Sequence, residues 1–345
     1  MLTSKSPRDV ARVALEVGKD AFSDYSHKYS PHKFTRPQLF ACLVLRAFFG
    51  LDYRGIWQLL LDTPDLCHAI GLGQVPHYTT LQKASARLIR DKRFAVLLAS
   101  TVRRVLSRRR RIRHAAADST GLDPHHASRY FVWRKNNQAA DTKRPKKQVS
   151  YRRFGKLMVL VCCMSHAILS ATASAGPTPD IDQLGSLFTG RAAGLKVERL
   201  VADAGFDSAS NHRFLRDRYH IATTIPPRHG RPPKDLRTKP ADYWRRRMKT
   251  HFNKRAYRHR AQVETVFSMI KRNLGPALAG RSYQSRRRDM LLRVLTHNIM
   301  LALKWLFYRA LMSHFELKPP VQNHPPPFLK VQCSKRVYVA VTSAV

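Results

Sequence analysis

Acidic residues are scarce in this chain. It has 22 Asp+Glu against 63 Lys+Arg over 345 residues, a formal net charge of +41. A positive field of that size attracts polyanions and makes phosphate binding depend on salt. The cations run along the whole length instead of gathering in a tail, which points to a folded protein that meets nucleic acid on several faces. Cysteine is rarer still. Cys42, Cys67, Cys162, Cys163 and Cys333 form no C-x-x-C pair and leave an odd count, which argues against a disulfide framework and favours reduced, mostly buried thiols of a cytoplasmic protein. Long apolar runs are nearly absent as well. One stretch, "LMVLVCCMSHAILSATASA" from Leu157 to Ala175, lacks formal charge and approaches the length of a membrane span. Ser165, His166, Ser170, Thr172 and Ser174 interrupt it, so "MSHA" reads as a turn between two buried strands. No long basic amphipathic anchor accompanies it, leaving membrane-surface binding as the weaker reading. The start, "MLTSKSPRDVARVALEVG", has no apolar core of signal-peptide length. The expected location is the cytoplasm, in association with the nucleoid.

What is present is ordinary for a globular protein. Hydrophobic residues make up 43%, and the length suffices for two domains with separate cores. Residues 1–110 read as helical. "TRPQLFACLVLRAFFG" offers Thr35 as N-cap, an apolar face at helical spacing and a Gly stop, and "VPHYTTLQKASARLI" offers Thr79 or Thr80 as a further cap. Short helices rich in Arg and Lys suit a helix-turn-helix-like DNA reader; a plain helical subdomain is the alternative. From Arg111 the pattern changes to strands: "RIRHAAAD", "SRYFVW", "KLMVLVCCM", "HAILSATAS", "VERLVADAG" and "HIATTIP". Helices separate only the later ones, giving an α/β sheet that opens with a meander. Residues 226–256 form a basic, Pro- and Arg-rich insertion, and helices resume from Tyr257 to about Met312. The expected units are thus 1–110, 111–312 and a Pro-rich, disordered tail at 313–345.

The few carboxylates then matter. Asp118 follows "AAA" and Asp203 follows "LVA", each at an expected strand end. A strand interior should not end on an unpaired charge, although a single Lys or Arg would satisfy either site. Glu264 lies in "YRHRAQVETVFSMIK". On one continuous helix Tyr257, Arg260, Glu264 and Lys271 fall within an arc of roughly 60°, bordering the apolar face. A surface tie between Glu264 and Arg260 at i−4 is the bland reading. Taken together, three acids on two strand ends and one helix describe a site for a hard divalent cation, and two such ions can cleave a phosphodiester. Asp207 reads as a helix N-cap ahead of "SASNHRF". His125 and His126 show no zinc-ligand spacing.

At these residues the sequence resembles the DDE transposases of the IS4/IS5 insertion-sequence kind. Tyr257-x2-Arg260-x3-Glu264-x6-Lys271 matches that family's Y-x2-R-x3-E-x6-K signature, while "DSTGL" at Asp118 and "ADAGFD" at Asp203 look like its two Asp motifs. The resemblance implies an RNase H-like (retroviral-integrase) catalytic domain behind a helical DNA-binding region. It also implies Asp118, Asp203 and Glu264 as catalytic metal ligands for Mg²⁺ or Mn²⁺, two ions in all. Tyr257, Arg260 and Lys271 would contact DNA phosphates. The implied activity is nicking at element ends and strand transfer to target DNA, by a homodimer assembled on terminal inverted repeats. A stand-alone nuclease of the same fold, or a non-catalytic DNA-binding descendant, are the alternatives.

Overall fold

The computed structural model describes residues 4–29, 31–107, 109–124, 154–190, 194–228 and 242–314, with side chains through Leu303. The expected strand "SRYFVW", His125, His126, residues 229–241 of the basic insertion and the tail beyond 314 lie outside the described residues. Residues 1–307 form one compact unit and 308–345 another.

Six helices come first: α1 (Pro7–Ala21), α2 (Arg36–Phe49), α3 (Tyr53–Asp62), α4 (Pro64–Ala69), α5 (Tyr78–Leu88) and α6 (Asp91–Leu106). Helix α2 starts in a capping box, with the Thr35 hydroxyl accepting from Gln38 N–H and the Gln38 side chain accepting from Thr35 N–H. It ends at Gly50, whose φ of 68° is left-handed and suits glycine. Helix α5 begins differently from the sequence expectation. His77 is its N-cap residue and makes no side-chain cap bond, and Thr79 and Thr80 lie inside the first turn. The Thr79 hydroxyl is engaged by the His77 ring at 2.9 Å, which takes it away from capping.

The sheet comprises β1 (Arg111–Pro124), β2 (Gly155–Cys162), β3 (Ile168–Ala175), β4 (Lys196–Ala202) and β5 (Ala222–Thr224), in the order β3-β2-β1-β4-β5. Strands β1 to β3 are antiparallel, whereas β4 and β5 run parallel to β1. Every residue of β2 is buried, as a central strand covered on both faces requires. The apolar run at 157–175 is therefore a hairpin in the sheet, its turn closed by His166 N–H donating to Cys162 O at 2.9 Å. No described helix is long and apolar enough to cross a membrane.

Between β3 and β4 lies α7 (Leu184–Thr189), and α8 (Ala209–Arg213) follows β4. After β5 come α9 (Tyr243–Thr250), α10 (Lys254–Tyr257), a 3-10 turn at Arg258–Arg260 and α11 (Ala261–Leu274). The stretch from Tyr257 to Lys271 is thus not one continuous helix, and the arc counted from Tyr257 holds only from Ala261 onward. A short β6 (Ala277–Leu278) pairs with the end of β1, and α12 (Tyr283–His314) closes the fold.

The N-terminal helices and α12 are tied through the interior. Arg46 of α2 donates to Asp289 at 2.7 Å, and Arg293 donates to the same carboxylate at 3.3 Å, all three side chains being buried. Asn298 accepts from Ile168 N–H and donates to Ile168 O, both at 2.9 Å, and donates to Thr101 of α6 at 3.2 Å. It thereby satisfies both backbone groups of a residue at the start of edge strand β3.

Candidate active site

The parallel register decides where the acids meet. Ala117 of β1 pairs with Ala202 of β4, so the residues that follow sit at neighbouring positions. Asp203 lies just past the end of β4, whereas Asp118 is not at a strand end as expected but inside β1, which runs on to Pro124 and pairs Asp118 with Val159 of β2. The small side chains before them have a reason: Ala115, Ala116, Ala117 and Ala202 are wholly buried beneath packed helices, and the polar groups begin only where that cover ends. Asp118 keeps 16% of its side chain exposed and accepts from Ser119 N–H at 2.8 Å. Asp203 is half-buried and caps the turn after β4, accepting from Gly205 N–H at 2.9 Å.

Glu264 reaches the same place from α11, and Arg260 joins it to the strands. The guanidinium donates to Asp118 Oδ2 at 3.2 Å and to Glu264 Oε1 at 2.5 Å. The i−4 tie expected of a surface pair is thus present, but its cation also grips Asp118 of β1. Tyr257 completes the group: burial raises its phenol pKa, and Asp203, Asp118 and Glu264 all push the same way against Arg260. A single phenol feels all three carboxylates. Lys271 is half-exposed two turns further along α11, away from the acids.

Charge is undersupplied at Asp118. Burial pushes its pKa up to about 6, with Asp203 and Asp180 adding to the rise; Ser119 N–H and Arg260 only partly oppose it. Such a carboxyl would gain from a further cation. Among the described residues no three His, Cys, Asp or Glu side chains stand together closely enough to hold a metal ion. Glu264, 56% exposed, is engaged by Arg260 instead of turning to the other two acids. The neighbouring pair Asp118 and Asp203 does fit a hard divalent ion, which takes one or two carboxylates with water and phosphate completing its shell.

Two features around the site were not legible in the sequence. His114, on the same face of β1 as Asp118, stacks on His259 of the 3-10 turn with centroids 4.3 Å apart. Burial, then His259, Arg199 and Arg113, lower its pKa to about 4. Gln262 of α11 meets the His166 ring at 2.5 Å. These contacts seat α11 and its approach over the sheet. Alternation from His114 to Asp118 was the only available hint.

Asp207 is a correction. Ser208, not Asp207, caps α8, accepting from Asn211 N–H. Asp207 is fully buried and accepts from Arg245 of α9 at 2.8 Å and from Arg228 N–H at 2.7 Å.

The family model described as "Transposase DDE domain" matches residues 109–299, more than half of the chain. The chain belongs to the transposase DDE domain family. The matched region runs from the start of β1 into α12 and contains every acid of the candidate site. No curated protein sequence matches this transposase-domain chain. Among solved structures, that titled "Crystal structure of a pre-cleavage Mos1 transpososome" is similar over 81% of this chain and 82% of that one, at 12% identity and a TM-score of 0.19. A likeness that weak carries no argument about this transposase domain.

Proposed function

We propose that the protein is a transposase of the IS4/IS5 insertion-sequence type that cleaves DNA at its element's ends and transfers the strands to target DNA. The observation that carries this reading is that Asp118 and Asp203 sit at neighbouring positions of β1 and β4 and that Arg260 bridges Asp118 to Glu264 of α11, in a chain of this family. The strand order, with three antiparallel strands followed by two parallel to the first, supports an RNase H-like domain.

Asp118 and Asp203 would hold divalent Mg²⁺ or Mn²⁺, with Glu264 joining when Arg260 releases it. When bound, such ions supply an activated water and stabilise the leaving oxygen of a phosphodiester. The protein's own residues do the positioning. Arg260 and Tyr257 stand beside the acids where a cut strand's phosphates would lie, and Lys271 meets the backbone further along α11. Arg260 would exchange its carboxylate partners for a phosphate, to which guanidinium geometry is equally suited.

Residues 1–110 are proposed to read the terminal repeats. Helix α5 buries Leu81, Ala84, Ser85 and Leu88, and turns Gln82, Lys83 and Arg87 to solvent with no carboxylate among its residues. A homodimer on DNA follows from the need to bring two ends together.

The test is cleavage of a DNA fragment that carries the gene with its native flanks, in Mg²⁺ or Mn²⁺. Paired cuts at two inverted boundaries, lost with Glu264→Gln and with a chelator, are expected. Binding without a cut, identical for wild type and variant, would replace this reading with a non-catalytic DNA-binding protein.

A further inference from the structure

Asp207 lies four residues beyond Asp203, and its side chain has no exposure. A carboxylate so placed is costly unless its oxygens are fully engaged. They are. Oδ2 accepts from Arg245 Nη2 and Nε at 2.8 and 3.0 Å and from Arg228 N–H at 2.7 Å. Oδ1 lies 3.1 Å from Arg245 Nε and 3.3 Å from His212 Nε2. The wholly buried His212 ring meets the Thr223 hydroxyl at 2.8 Å, and Arg216 donates to that hydroxyl at 2.7 Å. Arg216 then covers the face of Trp244 at 4.2 Å. The Arg245 bonds and the Arg216–Trp244 contact fix α9 to the segment that leaves β4 with Asp203, and the His212 and Arg216 bonds to Thr223 fix that segment to β5.

α9 turns two arginines, a tyrosine and Thr250 outward. Arg246 and Arg247 are exposed, and Tyr243 is 59% exposed with its ring edge-on to Trp244 at 4.8 Å. Arg247 donates to the Tyr243 hydroxyl at 3.3 Å. No carboxylate lies within the helix; Asp242, its N-cap, is spent on Trp244 and Arg245 N–H and on Arg213. A helix that served only as cover would need neither this face nor so elaborate an anchor.

We propose that α9 is a DNA-contact surface beside the candidate active site, in which Arg246 and Arg247 take backbone phosphates, Tyr243 stacks on an unpaired base and Asp207 is the positioning residue. This rests on the nucleic-acid partner proposed above. Cation pairs follow a phosphate backbone, and an exposed ring beside them gives a base a face to stack on.

The experiment uses the full chain without divalent metal, so that binding is read free of cutting. Affinity for duplex and single-stranded oligonucleotides is measured across a salt series. Arg246→Gln with Arg247→Gln should lower the slope of log K against log salt for duplex by about 1.8, at about 0.9 per phosphate lost; the double Lys variant should keep it. Tyr243→Ala should weaken single-strand binding by about tenfold and duplex binding by about twofold or less. Asp207→Asn should lower the slope with all of α9's outward side chains in place, at temperatures where the variant remains folded. An unchanged slope in the double Gln variant overturns the proposal, whatever Asp207→Asn does to folding. If the slope falls as expected but wild type cuts no DNA under metal, α9 stands and the transposase reading fails.

Discussion

Asp203 and Asp207 are separated by one turn of chain, yet they live in opposite electrostatic worlds. Asp207 is sealed, with Arg245, Arg228 N–H and His212 around it; burial works against its charge, but these partners hold its pKa below the usual carboxylate value. Asp118, inside β1, is partly open; burial pushes its pKa up to about 6, Asp203 adds to the rise, and Ser119 N–H and Arg260 only partly oppose it. A carboxylate that serves the fold is surrounded until nothing is missing. One that would serve chemistry, on the function proposed, is left incomplete and partly exposed. Degree of satisfaction, more than burial, separates the two.

The largest effect should fall on activity at the open site. Asp118→Asn and Asp203→Asn should reduce DNA cleavage to background while leaving urea unfolding midpoints unchanged or slightly raised, because a neutral amide removes like-charge crowding. A matching loss of stability would erase the contrast. At the closed site the sign reverses. Asp207→Ala leaves the buried His212 ring and Arg228 N–H without their acceptor and half-buried Arg245 without its partner, and should destabilise by roughly 1–3 kcal/mol in equilibrium unfolding.

Acid separates buried groups in another way. His297 is buried and donates its ring to the His166 carbonyl at 3.1 Å, and burial lowers its pKa to about 4. Between the unfolded value near 6.5 and about 4 the unfolded chain binds the extra proton, so stability falls with falling pH by roughly 3 kcal/mol. Asp207, with its depressed pKa, keeps its contribution through that window and loses it only as pH drops through its folded value, below the usual carboxylate range. Asp118, raised to about 6, and His114, lowered to about 4, titrate in the same window with opposite signs, so the measurement is the difference between wild type and His297→Gln. A difference that stays flat from pH 7 to 4.5 would contradict the His297 assignment. The smallest expected change is at Arg260. Arg260→Gln breaks two partly exposed pairs and should alter stability by about 1 kcal/mol or less, and it should lower the salt slope of DNA binding by about 0.9.

Much of the site was legible because local rules dominated it. The apolar run before Asp203 marks the end of β4, and Thr35 with Gln38 announces the start of α2; the run before Asp118 marks β1 but not its end, because the strand continues to Pro124 in pairing with β2. The polar stripe that leads into α11 was only partly legible. Its spacing is helical in pattern, but the chain enters through a 3-10 turn at Arg258–Arg260, which tertiary contacts such as the His114–His259 stack favour and which no periodicity records. Asp207 was misread for the same reason. A short polar residue before "SAS" has the local chemistry of a cap, while its true partner, Arg245, lies 38 residues away. Long-range pairing of charges leaves no trace in spacing.

The buried Arg46–Asp289–Arg293 cluster, with Asn298 beside it, has a consequence for how the molecule would measure DNA. It welds the N-terminal helices to the helix that backs the sheet, leaving no slack between a reading surface and a cutting one. On the function proposed, such a protein is a ruler: the number of base pairs from recognised sequence to nick is set by its interior. Half a helical turn of inserted DNA would then carry the scissile bond round to the far side of the duplex, out of reach.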